Sequence, residues 1–217
     1  MLGHAFFNSW KENHEVKVTL KGDLNQYKIH TIFNEENSLS LLNALDFDNF
    51  SFKVQSFMPD CIVNCTGVTK QLSSQDNIVN TMLINAILPH RLEELCENLD
   101  IRLIQLSTDC IFSGKKGLYE ELDPSDAEDL YGKSKFLGEV TGKNSLTIRK
   151  STIGLELSNK HGLIEWFLNQ RDTVQGYSNA IYSGFTSLCL ASIVEEIISN
   201  YPDLNGVLNI ASKPISK

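Results

Sequence analysis

A tyrosine and a lysine stand four residues apart in Asp129-Leu130-Tyr131-Gly132-Lys133-Ser134-Lys135. An α-helix turns once in about 3.6 residues, so this spacing sets a phenol and an ammonium on one face. A neighbouring ammonium favours the phenolate, and the expectation is a phenol pKa drawn down from about 10. Such a tyrosine serves as an acid or base at neutral pH. Alone, the spacing more often marks a solvated helix face. The weight comes from upstream, in Arg102-Leu103-Ile104-Gln105-Leu106-Ser107-Thr108-Asp109. That apolar run ending in hydroxyls reads as a buried parallel strand with Ser107 and Thr108 at its C-terminal tip. In open α/β sheets ligands bind at that edge.

The elements around these residues alternate, as a parallel sheet requires. Ala5 to Asn13 reads as a helix and Glu15 to Leu20 as a strand. Asn49 to Phe57 reads as a helix with Asp48 as its N-cap, stopped before Pro59, and Cys61 to Cys65 as a strand. Asn77 to Asn98 is a long amphipathic helix in which Pro89 sets a kink. Then come a strand at Arg102 to Leu106, a helix at Leu130 to Thr141 and a strand at Leu146 to Arg149. Beyond Lys150 two helices are expected, over residues 161–171 and 187–200, separated by a loop from Gln175 to Gly184, with a last short strand at Val207 to Ile210.

Composition sets limits. The 217 residues are 41% hydrophobic and 21% charged, enough for one sizeable core. The net charge of −8 argues against nonspecific binding to nucleic acid or an anionic membrane. It leaves room for an anionic nucleotide held by backbone amides. No apolar run reaches the roughly 18–20 residues of a membrane span. Met1 to Trp10 lacks the basic start and apolar stretch of a secretion signal. Five cysteines, Cys61, Cys65, Cys96, Cys110 and Cys189, are an odd set lying in or beside apolar runs, which fits reduced thiols in the cytoplasm. With no second cysteine pair and scattered histidines, no metal site is expected.

In four stretches the sequence resembles the extended short-chain dehydrogenase/reductase superfamily, in particular the dTDP-4-dehydrorhamnose reductase family of sugar-nucleotide reductases. They are Ile62-Val63-Asn64-Cys65-Thr66-Gly67, Ser107-Thr108-Asp109-Cys110-Ile111-Phe112-Ser113-Gly114, the segment from Tyr131 to Lys135, and Asn209-Ile210-Ala211-Ser212-Lys213-Pro214-Ile215-Ser216-Lys217. The resemblance implies a Rossmann-like, doubly wound parallel sheet in residues 1–150 that binds NAD or NADP, and a small α/β substrate-binding region in residues 151–217. Of the family's Gly-x-x-Gly-x-x-Gly turn only the last glycine is matched, at Gly3. The expectation is therefore a chain without the family's first strand and stopping short of its usual end.

The same resemblance implies the roles. Tyr131 gives a proton to the substrate carbonyl as hydride arrives from the nicotinamide. Lys135 lowers the tyrosine pKa and bonds the nicotinamide ribose. Thr108 holds the carbonyl oxygen, with Ser107 the less favoured hydroxyl and strand-end capping the plain alternative. Asp109 fits either a site or a turn. Asn64, Cys65, Thr66 and Gly67 pass the adenosine ribose and pyrophosphate, and Asn85 matches the family's helix asparagine, its plain reading being a water-bridging amide. Asp46 and Phe47 match the position that reads the adenine edge. Lys21 follows the second strand, where a cation meets a 2′-phosphate, although Lys21-Gly22-Asp23 offers both signs. For His161 and Trp166 a packing or surface role is favoured over a sugar-nucleotide contact. The implied partner is a nucleotide sugar, a 4-keto-6-deoxysugar reduced for surface polysaccharide; a homodimer is compatible. Epimerases and dehydratases share the tyrosine and lysine, and a non-catalytic subunit of the same fold is the rival of another kind.

Overall fold

The computed structural model describes residues 1–43, 46–70, 78–158 and 162–216. They form two compact units: one of residues 1–41, 151–202 and 210–217, the other of residues 42–150 and 203–209.

The second unit is built on a sheet in the order β3-β4-β5-β9: β3 (Cys61–Asn64), β4 (Arg102–Leu106), β5 (Ser145–Lys150) and β9 (Gly206–Ile210). β3, β4 and β5 run parallel, with Asn64 opposite Gln105 and Leu106 opposite Ile148. Leu103, Ile104, Leu146 and Ile148 are fully buried, which is why these runs are apolar at successive positions and not at alternate ones. Some buried polar groups on the strands find partners, while the Ser145 hydroxyl has none among the described residues. Gln105 accepts from the Asn64 amide at 2.8 Å, and the Thr147 hydroxyl donates to the Val140 carbonyl at 2.7 Å.

Helix α2 (Phe47–Phe57) begins two residues earlier than predicted, so Asp48 lies in its first turn and Asp46 takes the N-cap position. The long helix is interrupted. α3 (Ile78–Met82) runs into a π-turn at Leu83–Ile87 and continues as α4 (Leu88–Leu99), with Pro89 in its first turn. Pro89 brings no N–H for the Asn85 carbonyl and its ring crowds that oxygen. A wider i→i−5 turn relieves the crowding; the Leu88 N–H bonds the Leu83 carbonyl. The kink expected at Pro89 is thus a widened turn before it. α5 (Leu130–Leu137) ends earlier than predicted, at Gly138, whose N–H bonds the Lys135 and Phe136 carbonyls. A side chain at Gly138 would run into the Asn85 carbonyl, so this helix end must carry glycine.

The first unit holds α1 (Leu2–Trp10), shifted toward the N-terminus from its predicted span, and α7 (Ser187–Asn200), as predicted. They pack together, and the Trp10 indole donates to the Ala191 carbonyl at 3.1 Å. β1 (Val18–Thr19) is shorter than expected and pairs in parallel with β2 (Ser38–Leu39). β6 (Thr152–Ile153) pairs in parallel with β8 (Phe185–Thr186), and β7 (Ile181–Tyr182), inside the predicted loop, pairs antiparallel with β10 (Ile215–Ser216). α6 (Leu163–Leu168) has no buried residue. No helix among the described residues is long and apolar enough to cross a membrane.

Candidate active site

The C-terminal tips of β3, β4 and β5 carry the functional side chains, and α5 brings the tyrosine and lysine to them. Asp129 caps α5, its carboxylate accepting from the Gly132 N–H at 2.8 Å and meeting Lys70 at 2.7 Å. Those contacts hold Asp129 below the usual carboxylate range. Gly132 fits under the Cys110 carbonyl and the Ala127 methyl, where any larger residue would collide. The close approach presses α5 onto the short turn Asp109–Ile111 that follows β4.

Thr108 starts that turn. Its hydroxyl accepts from the Cys110 N–H at 3.2 Å and donates to Asp109 at 3.2 Å. The Tyr131 phenol lies close enough for this hydroxyl to act on it, lowering its pKa somewhat against burial. Capping and site geometry therefore meet in one hydroxyl. Ser107 is turned elsewhere, donating to Glu139 at 2.7 Å.

Lys135 is buried, and its ammonium donates to the Leu106 carbonyl at 2.7 Å. The expected drop in the Tyr131 pKa is not found. Burial pushes the phenol up to about 12, against a smaller lowering by Thr108. Burial, with Lys150 behind it, lowers Lys135 to about 8. Desolvation disfavours each charged form, so the phenol is a held proton, an acid more than a base.

Asn85 is the bracket of the site. Its amide oxygen accepts from the Val68 N–H at 2.8 Å, and its NH₂ donates to the Val68 carbonyl at 3.0 Å and to the Ser134 hydroxyl at 3.1 Å. Ser134 in turn donates to the Tyr131 carbonyl at 3.0 Å. The water-bridging reading of Asn85 is corrected: the amide is wholly buried and both its hydrogens are committed to protein. It ties the strand-tip loop to the helix of Tyr131. Asn64 is also spent internally, on Gln105 and on the Thr66 N–H at 3.0 Å. A Cβ on Gly67 would reach the Asn85 oxygen at 3.4 Å. Cys65 lies half-buried at the tip, its thiol pushed up to about 11 by burial.

Thus Asn64, Cys65, Thr66, Gly67, Asn85, Thr108, Tyr131 and Lys135 share one unit and one end of one sheet. Asp46 and Phe47 lie in the same unit at the start of α2, with the Arg91 guanidinium 4.1 Å over the Phe47 ring. Gly3, in the first turn of α1, and Lys21, exposed after β1, belong to the other unit. Trp166, on α6, is about half exposed, and His161 lies outside the described residues. Among the described residues no group of three or more His, Cys, Asp or Glu could hold a metal ion.

Sequence reasoning passed over the end of β5. Arg149 is buried and grips Glu139 with Nε at 2.9 Å and a terminal nitrogen at 2.7 Å, while its other terminal nitrogen donates to the Glu121 carbonyl at 3.0 Å. Lys150 follows it, half-buried, near Asp109, Cys65 and Cys110. The signal was available: two cations closing an apolar strand.

The family profile described as "RmlD substrate binding domain" matches residues 12–153. The chain is 30% identical over 178 residues to the spore coat polysaccharide biosynthesis protein SpsK of Bacillus subtilis, which takes in 78% of this chain and 62% of that protein. It is 29% identical over 138 residues to the probable low-salt glycan biosynthesis reductase Agl14 of Haloferax volcanii, covering 63% of this chain and 40% of that one. The chain thus spans less than two thirds of either relative. A crystal structure of a hypothetical dTDP-4-dehydrorhamnose reductase from Sulfolobus tokodaii superposes with a TM-score of 0.77 at 24% identity, over 99% of this chain and 74% of that one. That likeness gives the fold, a Rossmann-like α/β architecture.

Proposed function

The chain belongs to the RmlD substrate binding domain family, and on that premise we propose that it is an NAD(P)H-dependent reductase of sugar nucleotides, acting on a nucleotide-linked 4-keto-6-deoxysugar in surface polysaccharide synthesis. The observation that carries this reading is the placement of Tyr131 beside Thr108 with Lys135 one helical turn on, all at the strand tips. The residues fit a nicotinamide cofactor on their own chemistry: Lys135 gives one ammonium hydrogen to Leu106 and keeps two for ribose hydroxyls. The cofactor supplies hydride when bound. Thr108 and Tyr131 offer hydroxyl hydrogens to the carbonyl oxygen of the substrate, and Tyr131 hands over its proton as negative charge builds there. A phenol held protonated by burial suits that direction.

In this reading residues 1–150 serve the cofactor and residues 151–217 the sugar nucleotide. Asp46, Phe47, Asn64, Cys65, Thr66 and Gly67 line the cofactor's path, Asn85 acts through the loop it braces, and resemblance adds Gly3 and Lys21. The test is Tyr131→Phe with dTDP- or UDP-linked 4-keto-6-deoxysugar. NAD(P)H affinity should be kept and turnover should fall about 10²–10⁴-fold. Turnover equal to the parent chain would refute the assignment.

A further inference from the structure

Lys150 ends β5, and no described residue answers its charge by contact. Leu106 is paired with Ile148, and the Ser107 N–H donates to the Ile148 carbonyl at 2.8 Å, so the continued register brings Lys150 level with Thr108. At the same end Lys135 gives one ammonium hydrogen to the Leu106 carbonyl. Among the described residues the Lys150 side chain makes no hydrogen bond or ion pair, and burial holds it below the usual lysine range. The groups facing Lys150 are Asp109 from the turn after β4, Cys65 from the tip of β3, and Cys110. Those facing Lys135 are Lys150, Glu139 and Cys65. Glu139 is taken by Arg149. Both thiols are held protonated by burial. Asp109 alone remains, exposed and already accepting from Thr108. Among the described residues two ammonium groups thus meet one carboxylate; the two remaining hydrogens of Lys135 serve the ribose in the reductase reading, and the three of Lys150 are uncommitted.

Two ammonium groups set side by side and partly withdrawn from water repel each other, and a ligand that brings anionic oxygens relieves the cost. We propose that Lys150, its field reinforced by the neighbouring Lys135, forms a subsite for an anionic oxygen of a ligand, beside Thr108 and Tyr131 at the tips of β3, β4 and β5. The inference goes beyond the reductase reading, since the ring of a 4-keto-6-deoxysugar carries no charge. The anionic oxygen comes either from the diphosphate that joins sugar to nucleoside or from a carboxylate on an acidic sugar.

Sodium sulfate is the first probe, because its charge is constant across the pH range of interest. Calorimetric titration at fixed ionic strength should show sulfate binding that weakens about tenfold in Lys150→Met and is retained in Lys150→Arg. Binding to the parent chain should also weaken as pH rises through about 8, where Lys135 gives up its charge. Thermal unfolding midpoints of both variants check that the fold is intact. Equal sulfate affinity in the parent chain and Lys150→Met would overturn the subsite. Titrations with dTDP and with glucuronate then separate the sources. Loss with Lys150→Met confined to dTDP assigns the diphosphate, loss confined to glucuronate assigns the acidic sugar, and loss with neither rejects the proposal. The two readings fail separately. A sulfate difference without NAD(P)H-dependent turnover sinks the reductase, whereas turnover with no sulfate difference sinks only the subsite.

Discussion

Charged groups are dense in two regions of the second unit, and they mean different things. In the segment between the turn after β4 and α5, Lys115 meets Glu128 at 2.6 Å, with both side chains at least three-quarters exposed. At the end of β5, Arg149 meets Glu139 at 2.7 Å, and each side chain is 6% exposed. The distances nearly match. In water the first attraction is screened and offset by side-chain entropy. Out of water the second pair is worth little as a pair but a great deal as a condition: remove one partner and the other is a stranded charge. The buried carboxylate also holds Ser107, and its partner holds the Glu121 carbonyl. One ion pair thus fixes the tip of β4, the end of β5 and the loop before α5.

Substitutions should grade along this contrast. Glu139→Gln leaves Arg149 half-answered and should cost about 3–5 kcal/mol in denaturant unfolding; a loss no larger than that of a surface pair would erase the distinction. Lys135→Met should alter how stability depends on pH. The folded-state value of Lys135, about 8, lies below its ordinary 10.5. Between those two values the unfolded chain binds the extra proton, so the parent chain gains stability relative to the variant as pH rises across that window. The gain is at most about 3 kcal/mol. A gap that stays constant from pH 7 to 10.5 would show that Lys135 is not desolvated. Asn85→Ala strands the N–H and carbonyl of Val68 and should cost about 1–3 kcal/mol, with faster hydrogen exchange at the Val68 amide. Lys115→Ala marks the other end of the scale, and its unfolding midpoint should match that of the parent chain.

The same contrast explains what the sequence disclosed. Tyr131, Lys135 and Thr108 were legible because a strand tip and a one-turn helical spacing are local patterns, and the sheet brings those patterns together. The apolar strands Cys61–Asn64 and Arg102–Leu106 were legible for the same reason. Glu139, Arg149 and Lys150 were not, since their meaning depends on which residues lie across the sheet. The direction of the Tyr131 shift was misread because spacing suggests a neighbouring ammonium, whereas burial sets the shift and Lys135 is not among the groups acting on the phenol. The helix starts at Leu2 and Phe47 moved without a side-chain cap to mark them, and the end at Leu137 was settled by Gly138 against Asn85.

The π-turn at Leu83–Ile87 bears on the lengths this chain tolerates. A wide turn absorbs one residue that a regular helix would pass on as a rotation of about 100° to everything downstream. Deleting one residue of that turn should leave Thr81 on one side, and Leu92 and Leu95 on the other, still facing the core. Deleting Glu94 should swing the rest of α4 out of phase. The first deletion should therefore give a folded protein that has lost the Asn85 bracket, and the second should not fold. The helix keeps its phase for the fold on either side and holds its one spare residue beside the site.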